Sequence, residues 1–220
     1  MKIQAEALTK IYIQGEKRIH ALNDIHVSIA ENKFTAIVGP SGCGKSTFLR
    51  ALSALEKPSG GTVCYDGEDI YKLTEKKRAE LRRQKIGVVY QDYSLLPTMT
   101  ALENICTPSL MDGRKPDLDY IADLVKTLGI GDRLHHIPSE MSGGEQQRVS
   151  VARALVNKPA IIFADEPTGN LDKDSARELL DLLLLTKKEY NQTLLMVTHD
   201  PDIAAHADIV IRMDNGTIRE

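Results

Sequence analysis

The segment from Gly39 to Ser46, GPSGCGKS, fits the phosphate-loop pattern GxxxxGK[ST] and restricts the fold more than any other feature of the chain. An apolar run at residues 34–38 precedes it, and a helix is predicted over residues 46–55 after it. Three glycines allow backbone conformations that point successive N–H groups at phosphate oxygens: Gly39, Gly42 and Gly44. A chance match is the alternative, but strand, loop and helix occur in the required order. The sequence therefore predicts binding of a nucleoside triphosphate.

Two side chains at the end of the loop support this prediction. Lys45 adds a positive charge, and the dipole of the helix that follows favours an anion at its N-terminus. The hydroxyl of Ser46 is suited to Mg²⁺. We therefore expect a magnesium–nucleotide site, although the loop alone does not identify the reaction.

Composition argues against several other classes of protein. The 220 residues are enough for a sizeable core in one large or two closely joined domains. The net charge is −3 with both signs interspersed, so no basic surface for nucleic acid is expected. Three cysteines without CxxC spacing favour neither a disulfide framework nor zinc, and they suit a reducing cytoplasm. No apolar stretch approaches the ~20 residues that span a bilayer, so we expect the chain by itself to be soluble.

The hydrophobic pattern predicts two kinds of structure. Alternating apolar and polar residues with turn signals predict antiparallel strands before and after the phosphate loop. Helix signals begin at Thr100, which forms a capping box with Glu103. We predict an α/β fold with a nucleotide-binding core at residues 1–91 and 159–220. A helical subdomain at residues 92–158 is inserted into that core.

Polar residues end two further apolar runs. Residues 160–164 lead into Asp165 and Glu166, and residues 193–197 lead into Thr198-His199-Asp200. Ligand sites in open α/β sheets form at the carboxyl ends of the strands, so we expect Asp165 near the phosphate loop. A lone histidine is often structural, but its position at a strand end favours a catalytic role for His199.

The segment Met141–Arg148, MSGGEQQR, resembles the LSGGQ signature of ATP-binding-cassette (ABC) ATPases. The other motifs of that family appear in the family's order. They are Tyr12 as the aromatic that stacks on adenine, Gln91 as the Q-loop, Asp165-Glu166 as the end of the Walker B strand, Asn170-Leu171-Asp172 as the D-loop and His199 as the switch histidine. The resemblance covers essentially the whole chain. It implies a P-loop NTPase fold of the ABC type, with a mixed sheet core, an antiparallel β subdomain and an inserted helical subdomain.

Two residues depart from the signature. Met141 replaces Leu with little change in volume, and Glu145 replaces Gln at a helix N-terminus, where the dipole favours negative charge. The residues that contact phosphate in the family are retained. The run from Ala164 to Asp172, with Leu95-Leu96-Pro97, is similar to the macrolide-export, lipoprotein-release and antimicrobial-peptide-resistance branch.

The resemblance implies roles for individual residues. ATP would be bound by Tyr12, Gly39, Ser41, Gly42, Cys43, Gly44, Lys45, Ser46, Thr47, Ser142, Gly143 and Gly144. Mg²⁺ would be held by Ser46, Gln91 and Asp165. Glu166 would orient or deprotonate the attacking water, His199 would contact the γ-phosphate, and Gln91 and Lys45 would complete the catalytic set.

The resemblance also implies partners. A second copy of the chain would bind head to tail around two ATP, and a separately encoded permease would dock near Gln91 to Met99 on the cytoplasmic face of the cell membrane. Tyr93, Leu95, Leu96 and Met99 are the candidate docking residues, with a role in the core of the helical subdomain as the alternative. The branch also contains ATPases that drive signalling or mechanical membrane complexes without transport, so that function stays open. Cassettes acting on DNA or ribosomes carry a long coiled-coil insertion or a second cassette, which this sequence lacks.

Overall fold

A computed structural model describes residues 1–219. The strands are β1 (Ile3–Gln14), β2 (Lys17–Ile29), β3 (Phe34–Val38), β4 (Gly60–Tyr65), β5 (Glu68–Asp69), β6 (Ile86–Tyr90), β7 (Ile161–Asp165), β8 (Thr193–Val197), β9 (Ile209–Asp214) and β10 (Thr217–Arg219). The helices are α1 (Lys45–Leu52), α2 (Glu75–Lys85), α3 (Ala101–Met111), α4 (Leu118–Thr127), α5 (Gly143–Leu155), α6 (Lys173–Glu189) and α7 (Pro201–Ala204). Within residues 1–219, none of the helices combines the length and apolar character that a membrane span requires.

The chain divides into two compact units. The first comprises residues 1–82 together with the segment from Thr193 onward. It contains an antiparallel sheet in the order β2-β1-β4-β5. It also contains a mixed layer in which β3 pairs in parallel with both β8 and β9, and β9 pairs antiparallel with β10.

The second unit comprises residues 83–192. Its strands β6 and β7 pair in parallel, with Tyr90 opposite Asp165. Helix α5 packs against β6 and against α3, α4 and α6, so it lies at the centre of this unit. The buried side chains of α5 include Val149, Val151 and Leu155, which form its apolar face.

Most predicted elements are confirmed. Strands β3 and β8 have the predicted bounds, and β6 matches the buried strand that the sequence predicts at residues 86–90. All five residues of β8 are buried, as expected for a strand covered on both faces. Antiparallel strands lie on both sides of the phosphate loop in sequence. The capping box between Thr100 and Glu103 begins α3 as predicted.

Four helices differ from their predicted bounds. Helix α2, predicted over residues 75–83, extends to Lys85, and α5, predicted over residues 143–156, ends at Leu155. Helix α1 ends at Leu52 rather than residue 55, because Ala54 takes a positive φ of 60° that stops the helix. The sequence predicts an amphipathic helix from Pro116 to Leu128, and the observed helix α4 begins later, at Leu118. Its N-cap is Asp117, whose side chain accepts a hydrogen bond from the Tyr120 N–H.

Candidate functional site

Lys45 is buried at the base of the phosphate loop in the first unit, with 7% of its surface exposed. Its Nζ donates hydrogen bonds to the carbonyls of Gly39 and Pro40, both at 2.9 Å. Carbonyl groups orient an ammonium but do not neutralise its charge. The loop therefore holds a fixed positive charge with the geometry to bind an anion.

The loop is packed against neighbouring strands. A Cβ on Gly44, where φ is 105°, would lie 2.2 Å from the carbonyl oxygen of Ala21 in β2. A Cβ on Gly39 would lie 2.2 Å from the carbonyl oxygen of Met213 in β9. The N–H of Gly216 also donates to the carbonyl of Cys43 at 2.9 Å, and Cys43 is only 5% exposed. The surrounding sheet thus fixes the loop, and no side chain larger than hydrogen fits at these two glycines.

The remaining hydroxyl groups of the loop differ in exposure. Ser41 is exposed, whereas Ser46 and Thr47 are half-buried in the first turn of α1. Thr47 Oγ1 lies 3.4 Å from the hydroxyl oxygen of Tyr12 on β1. The pKa of Tyr12 is raised, chiefly because the side chain is partly buried. The hydrogen bond with Thr47 lowers this pKa, but the nearby Glu56 raises it, so the net shift is upward. The structure thus brings the predicted stacking residue next to the phosphate loop.

His199 follows β8, at the edge where the phosphate loop follows β3. The two strands pair in parallel with Val197 opposite Ile37, and the Thr198 N–H donates to the Ile37 carbonyl at 3.2 Å. His199 is exposed and lines a cavity of about 370 Å³. The other lining residues are Val38, Asp200, Pro201, Ala204, Ala205, Val210 and Arg212. The neighbouring Asp200 caps α7, a structural role.

In the second unit, Gln91 and Glu166 follow adjacent parallel strands at the same edge, because Tyr90 pairs with Asp165. Gln91 is exposed, and both Asp165 and Glu166 are half-buried. Glu166 adopts a positive φ of 47°. A non-glycine residue in this region stores backbone strain, a feature that clusters at functional sites. This edge brings together an amide and two carboxylates.

Asn170 holds the Gln91 segment in place. Its Nδ2 donates to the Gln91 carbonyl at 2.9 Å, and its Oδ1 accepts from Gln91 Nε2 at 3.4 Å. Gly169 lies so close that a Cβ there would be 2.8 Å from Gln91 Nε2. From the sequence, Asn170 was predicted only as part of the D-loop motif. Its distance from Gln91 along the chain gave no indication that the two side chains would form hydrogen bonds.

Ser142 is the N-cap of α5, and it forms a capping box with Glu145. The Ser142 hydroxyl donates to Glu145 Oε2 at 2.9 Å, and Glu145 Oε1 accepts from Arg133 Nε at 2.6 Å. The pKa of Glu145 is lowered to about 2, chiefly by the hydrogen bond from Arg133 and also by the one from the backbone N–H of Ser142. Gly143 and Gly144 form the first turn of α5, so their N–H groups lie at the positive end of its dipole.

Comparison with known proteins identifies the family of the chain. The sequence model of the family described as ABC transporter matches residues 22–169. This chain belongs to the ABC transporter family. The lipoprotein-releasing system ATP-binding protein LolD of Bordetella pertussis is 42% identical over 219 residues, covering 99% of this chain and 95% of that protein. The uncharacterized ABC transporter ATP-binding protein MJ1508 of Methanocaldococcus jannaschii is 43% identical over 222 residues, covering 99% of this chain and 98% of the relative.

Solved structures show the same fold. The ATP-binding cassette MJ0796, in a dimeric post-hydrolysis state bound to ADP and Pi, superposes with a TM-score of 0.92 at 36% identity. The superposition covers 99% of this chain and 97% of that one. The predicted ABC-type P-loop fold is confirmed, and this cassette is an ATPase.

Proposed function

We propose that this cassette powers a separately encoded membrane permease by binding and hydrolysing ATP. The observation that carries the proposal is the rigid, cationic phosphate loop, in which buried Lys45 donates to the Gly39 and Pro40 carbonyls. Similarity to LolD over nearly the full length supports the link to a permease. In this proposal, the backbone N–H groups of the loop, with Ser41, Cys43 and Thr47, surround the phosphates, and Tyr12 stacks on the adenine.

In this proposal a magnesium ion accompanies the nucleotide, and the chemistry of three side chains suits it. Ser46, Gln91 and Asp165 offer hydroxyl, amide and carboxylate oxygens, the ligand types that Mg²⁺ prefers. Among residues 1–219, no three His, Cys, Asp or Glu side chains are grouped to hold a metal alone. Mg²⁺ is usually bound by one or two carboxylates together with substrate phosphates, so these residues would hold it jointly with the nucleotide. When bound, the ion would neutralise negative charge on the phosphates.

Hydrolysis then requires a water in line with the γ-phosphorus. Glu166 orients or deprotonates that water, and its strained backbone supports a functional role. His199 contacts the γ-phosphate, and Gln91, held by Asn170, contacts the water or the metal. Lys45 stabilises the negative charge that the phosphate oxygens carry in the transition state.

A complete site needs a second copy in this proposal. Ser142, Gly143 and Gly144 would contact the γ-phosphate held by the phosphate loop of the other copy, head to tail. Their position at the N-terminus of α5 suits an anion. The structure of the related cassette MJ0796 is described as dimeric. ATP would thereby act as a dimerisation switch.

The permease would dock on the segment after Gln91, in the helical subdomain that we place at residues 92–158. Leu96 and Met99 are 41% and 37% exposed, and Tyr93 and Leu95 are half-buried, which supports a docking role for this segment. Buried Asn104 accepts from the Leu96 N–H and donates to the carbonyls of Leu96 and Met99, which gives the segment a fixed shape. Docking there would place the cassette at the cytoplasmic face of the cell membrane.

The substrate would be a lipid-anchored or amphipathic molecule moved by the permease, as the lipoprotein-releasing name of the relative LolD suggests. The test is to purify this chain with the membrane protein that binds it and to reconstitute both in lipid vesicles containing a lipoprotein. ATP-dependent release of the lipoprotein supports the proposal. Hydrolysis that depends on the partner but releases nothing would instead favour a mechanical or signalling role.

A further inference from the structure

Lys10 lies over the ring of Tyr12. The two residues are two positions apart on β1, and Lys10 Nζ is 5.1 Å from the centroid of the ring. The same ammonium forms an ion pair with Glu56 Oε1 at 2.8 Å and donates to the Lys57 carbonyl at 2.9 Å. The Lys10 side chain is only 15% exposed. An ammonium has three N–H donors, and these partners hold it in one position over the ring.

Glu56 is itself fixed by the segment that follows α1. Its N–H donates to the Arg50 carbonyl at 3.1 Å, and its carbonyl accepts from the Tyr71 hydroxyl at 2.7 Å. Burial disfavours its charged form, but hydrogen bonds from Lys10 and Tyr12 outweigh this and lower the pKa of Glu56. Glu56 therefore stays ionised at neutral pH and keeps Lys10 in place.

The other end of the Tyr12 ring meets the start of the same helix. Its hydroxyl oxygen is 3.4 Å from Thr47 Oγ1, in the first turn of α1. The ring is thus tied to both ends of α1, to Thr47 at its start and to Glu56 after its end, which the Tyr12 hydroxyl reaches directly and which also holds Lys10 over the ring. This arrangement joins the aromatic side chain to the helix that positions the phosphate loop.

We propose that Lys10, held by Glu56, is a positioning residue that fixes the Tyr12 ring before the nucleobase binds. The inference rests on the proposed role of Tyr12 as the residue that stacks on adenine. Lys10 occupies one face of the ring, and the base stacks on the other, so Lys10 does not touch the nucleotide. Fixing the ring in advance removes the entropy cost of ordering it on binding. A specific consequence is that Lys10 affects binding of the base and not of the phosphates.

The experiment compares ADP with pyrophosphate, which carries no base, by titration calorimetry with Mg²⁺ in excess. Lys10→Met keeps the length of the side chain and removes the charge. We expect it to weaken ADP binding about 3- to 10-fold, the range for losing one preorganised side chain. Pyrophosphate binding should be unchanged. In steady-state hydrolysis, KM for ATP should rise by a similar factor while kcat stays the same.

Lys17→Met is the matched control, since Lys17 is an exposed lysine on the neighbouring strand β2. It removes the same charge, and we expect no change in the binding of either ligand. Glu56→Gln removes the ion pair with Lys10 but keeps an acceptor for the Tyr12 hydroxyl, so it should reproduce the selective loss of ADP binding. If Lys10→Met does not fold, as judged by circular dichroism, Glu56→Gln decides the question.

Equal weakening of ADP and pyrophosphate would overturn the inference, because it would show a general effect of charge or structure. No change in either ligand would overturn it as well. The variant Tyr12→Ala shows whether the role of Lys10 or the stacking role of Tyr12 is wrong. If Tyr12→Ala loses ADP affinity selectively and Lys10→Met does not, only the role of Lys10 is wrong. If Tyr12→Ala also leaves the ratio of the two affinities unchanged, the stacking role of Tyr12 is wrong.

Discussion

The side-chain amide of Asn170 binds Gln91 at two points, donating to its backbone carbonyl at 2.9 Å and accepting from its side-chain amide at 3.4 Å. Gln91 follows β6 and Asn170 follows β7, so the pair joins the ends of two adjacent parallel strands. Both residues are exposed, and their mutual bonds restrict a glutamine that would otherwise move freely. The orientation of Gln91 therefore depends on Asn170.

Asn170→Ala should lower kcat for ATP hydrolysis about 2- to 10-fold, the range for losing one or two hydrogen bonds that position a catalytic group. KM for ATP should change little, since Asn170 belongs to neither the phosphate loop nor the base site. Steady-state kinetics measure both parameters, and the thermal midpoint reports on folding. Asn170→Asp keeps an acceptor for Gln91 Nε2 but loses the donor to the Gln91 carbonyl, so it separates the two bonds. A rise in KM with kcat unchanged would contradict this prediction.

Glu166→Gln should retain ATP binding and lose hydrolysis by about 10²- to 10⁴-fold, as expected for removal of a general base. The substitution removes charge with little change in size, so ATP should then trap the dimer. Sedimentation with and without Mg-ATP measures the association, and Glu68→Gln on β5 controls for loss of an exposed carboxylate. A variant that stays monomeric under both conditions would refute the trapping mechanism.

Leu96→Ser should weaken association with the membrane partner while leaving nucleotide binding unchanged. Leu96 is 41% exposed, so the substitution leaves no large cavity in the core. Adding Leu95→Ser should weaken association with the partner further. The measurement is the fraction of the chain that co-sediments with membranes containing the partner.

Leu118→Ser is the matched control for that experiment. Leu118 is also exposed, at 67%, but it lies on α4 outside the proposed docking segment. If both substitutions reduce co-sedimentation equally, general surface hydrophobicity explains the association. If Leu96→Ser unfolds the protein, Leu96 serves the core of the helical subdomain instead.

Local patterns in the sequence were enough to predict the strands around the site. Strand β8 is five apolar or β-branched residues in succession, and the capping box at Thr100 needs only a residue three positions away. In both cases the decisive interactions lie within a few residues of each other. The phosphate loop was found for the same reason.

Contacts between distant residues could not be predicted in this way. Lys10 and Glu56 are far apart in the sequence, on β1 and on the loop after α1, and β1 changes register with β2 between Lys10 and Ile11. Arg133 ends one short 3₁₀ turn and pairs with Glu145 across a segment that contains another. A β-bulge and an irregular loop have no periodic signal, so these pairs required the structure.

The Arg133–Glu145 pair makes the stability of the helical region depend on pH. Arg133 and the Ser142 N–H lower the pKa of Glu145 from 4.5 to about 2, so the folded state favours the ionised carboxylate. A lowered pKa stabilises the fold above pH 4.5, and this stabilisation is lost as the pH falls from about 4.5 to about 2.

Glu145→Gln keeps the shape of the side chain and an acceptor for Ser142 but loses the ion pair. We expect its thermal midpoint to lie roughly 2–4 °C below that of the native chain at pH 7, the range for a partly exposed ion pair in a chain of this size. The difference should shrink steadily as the pH is lowered below 4.5, which thermal unfolding followed by circular dichroism measures directly. A difference that is the same at pH 7 and at pH 3 would show that the charge of Glu145 does not contribute.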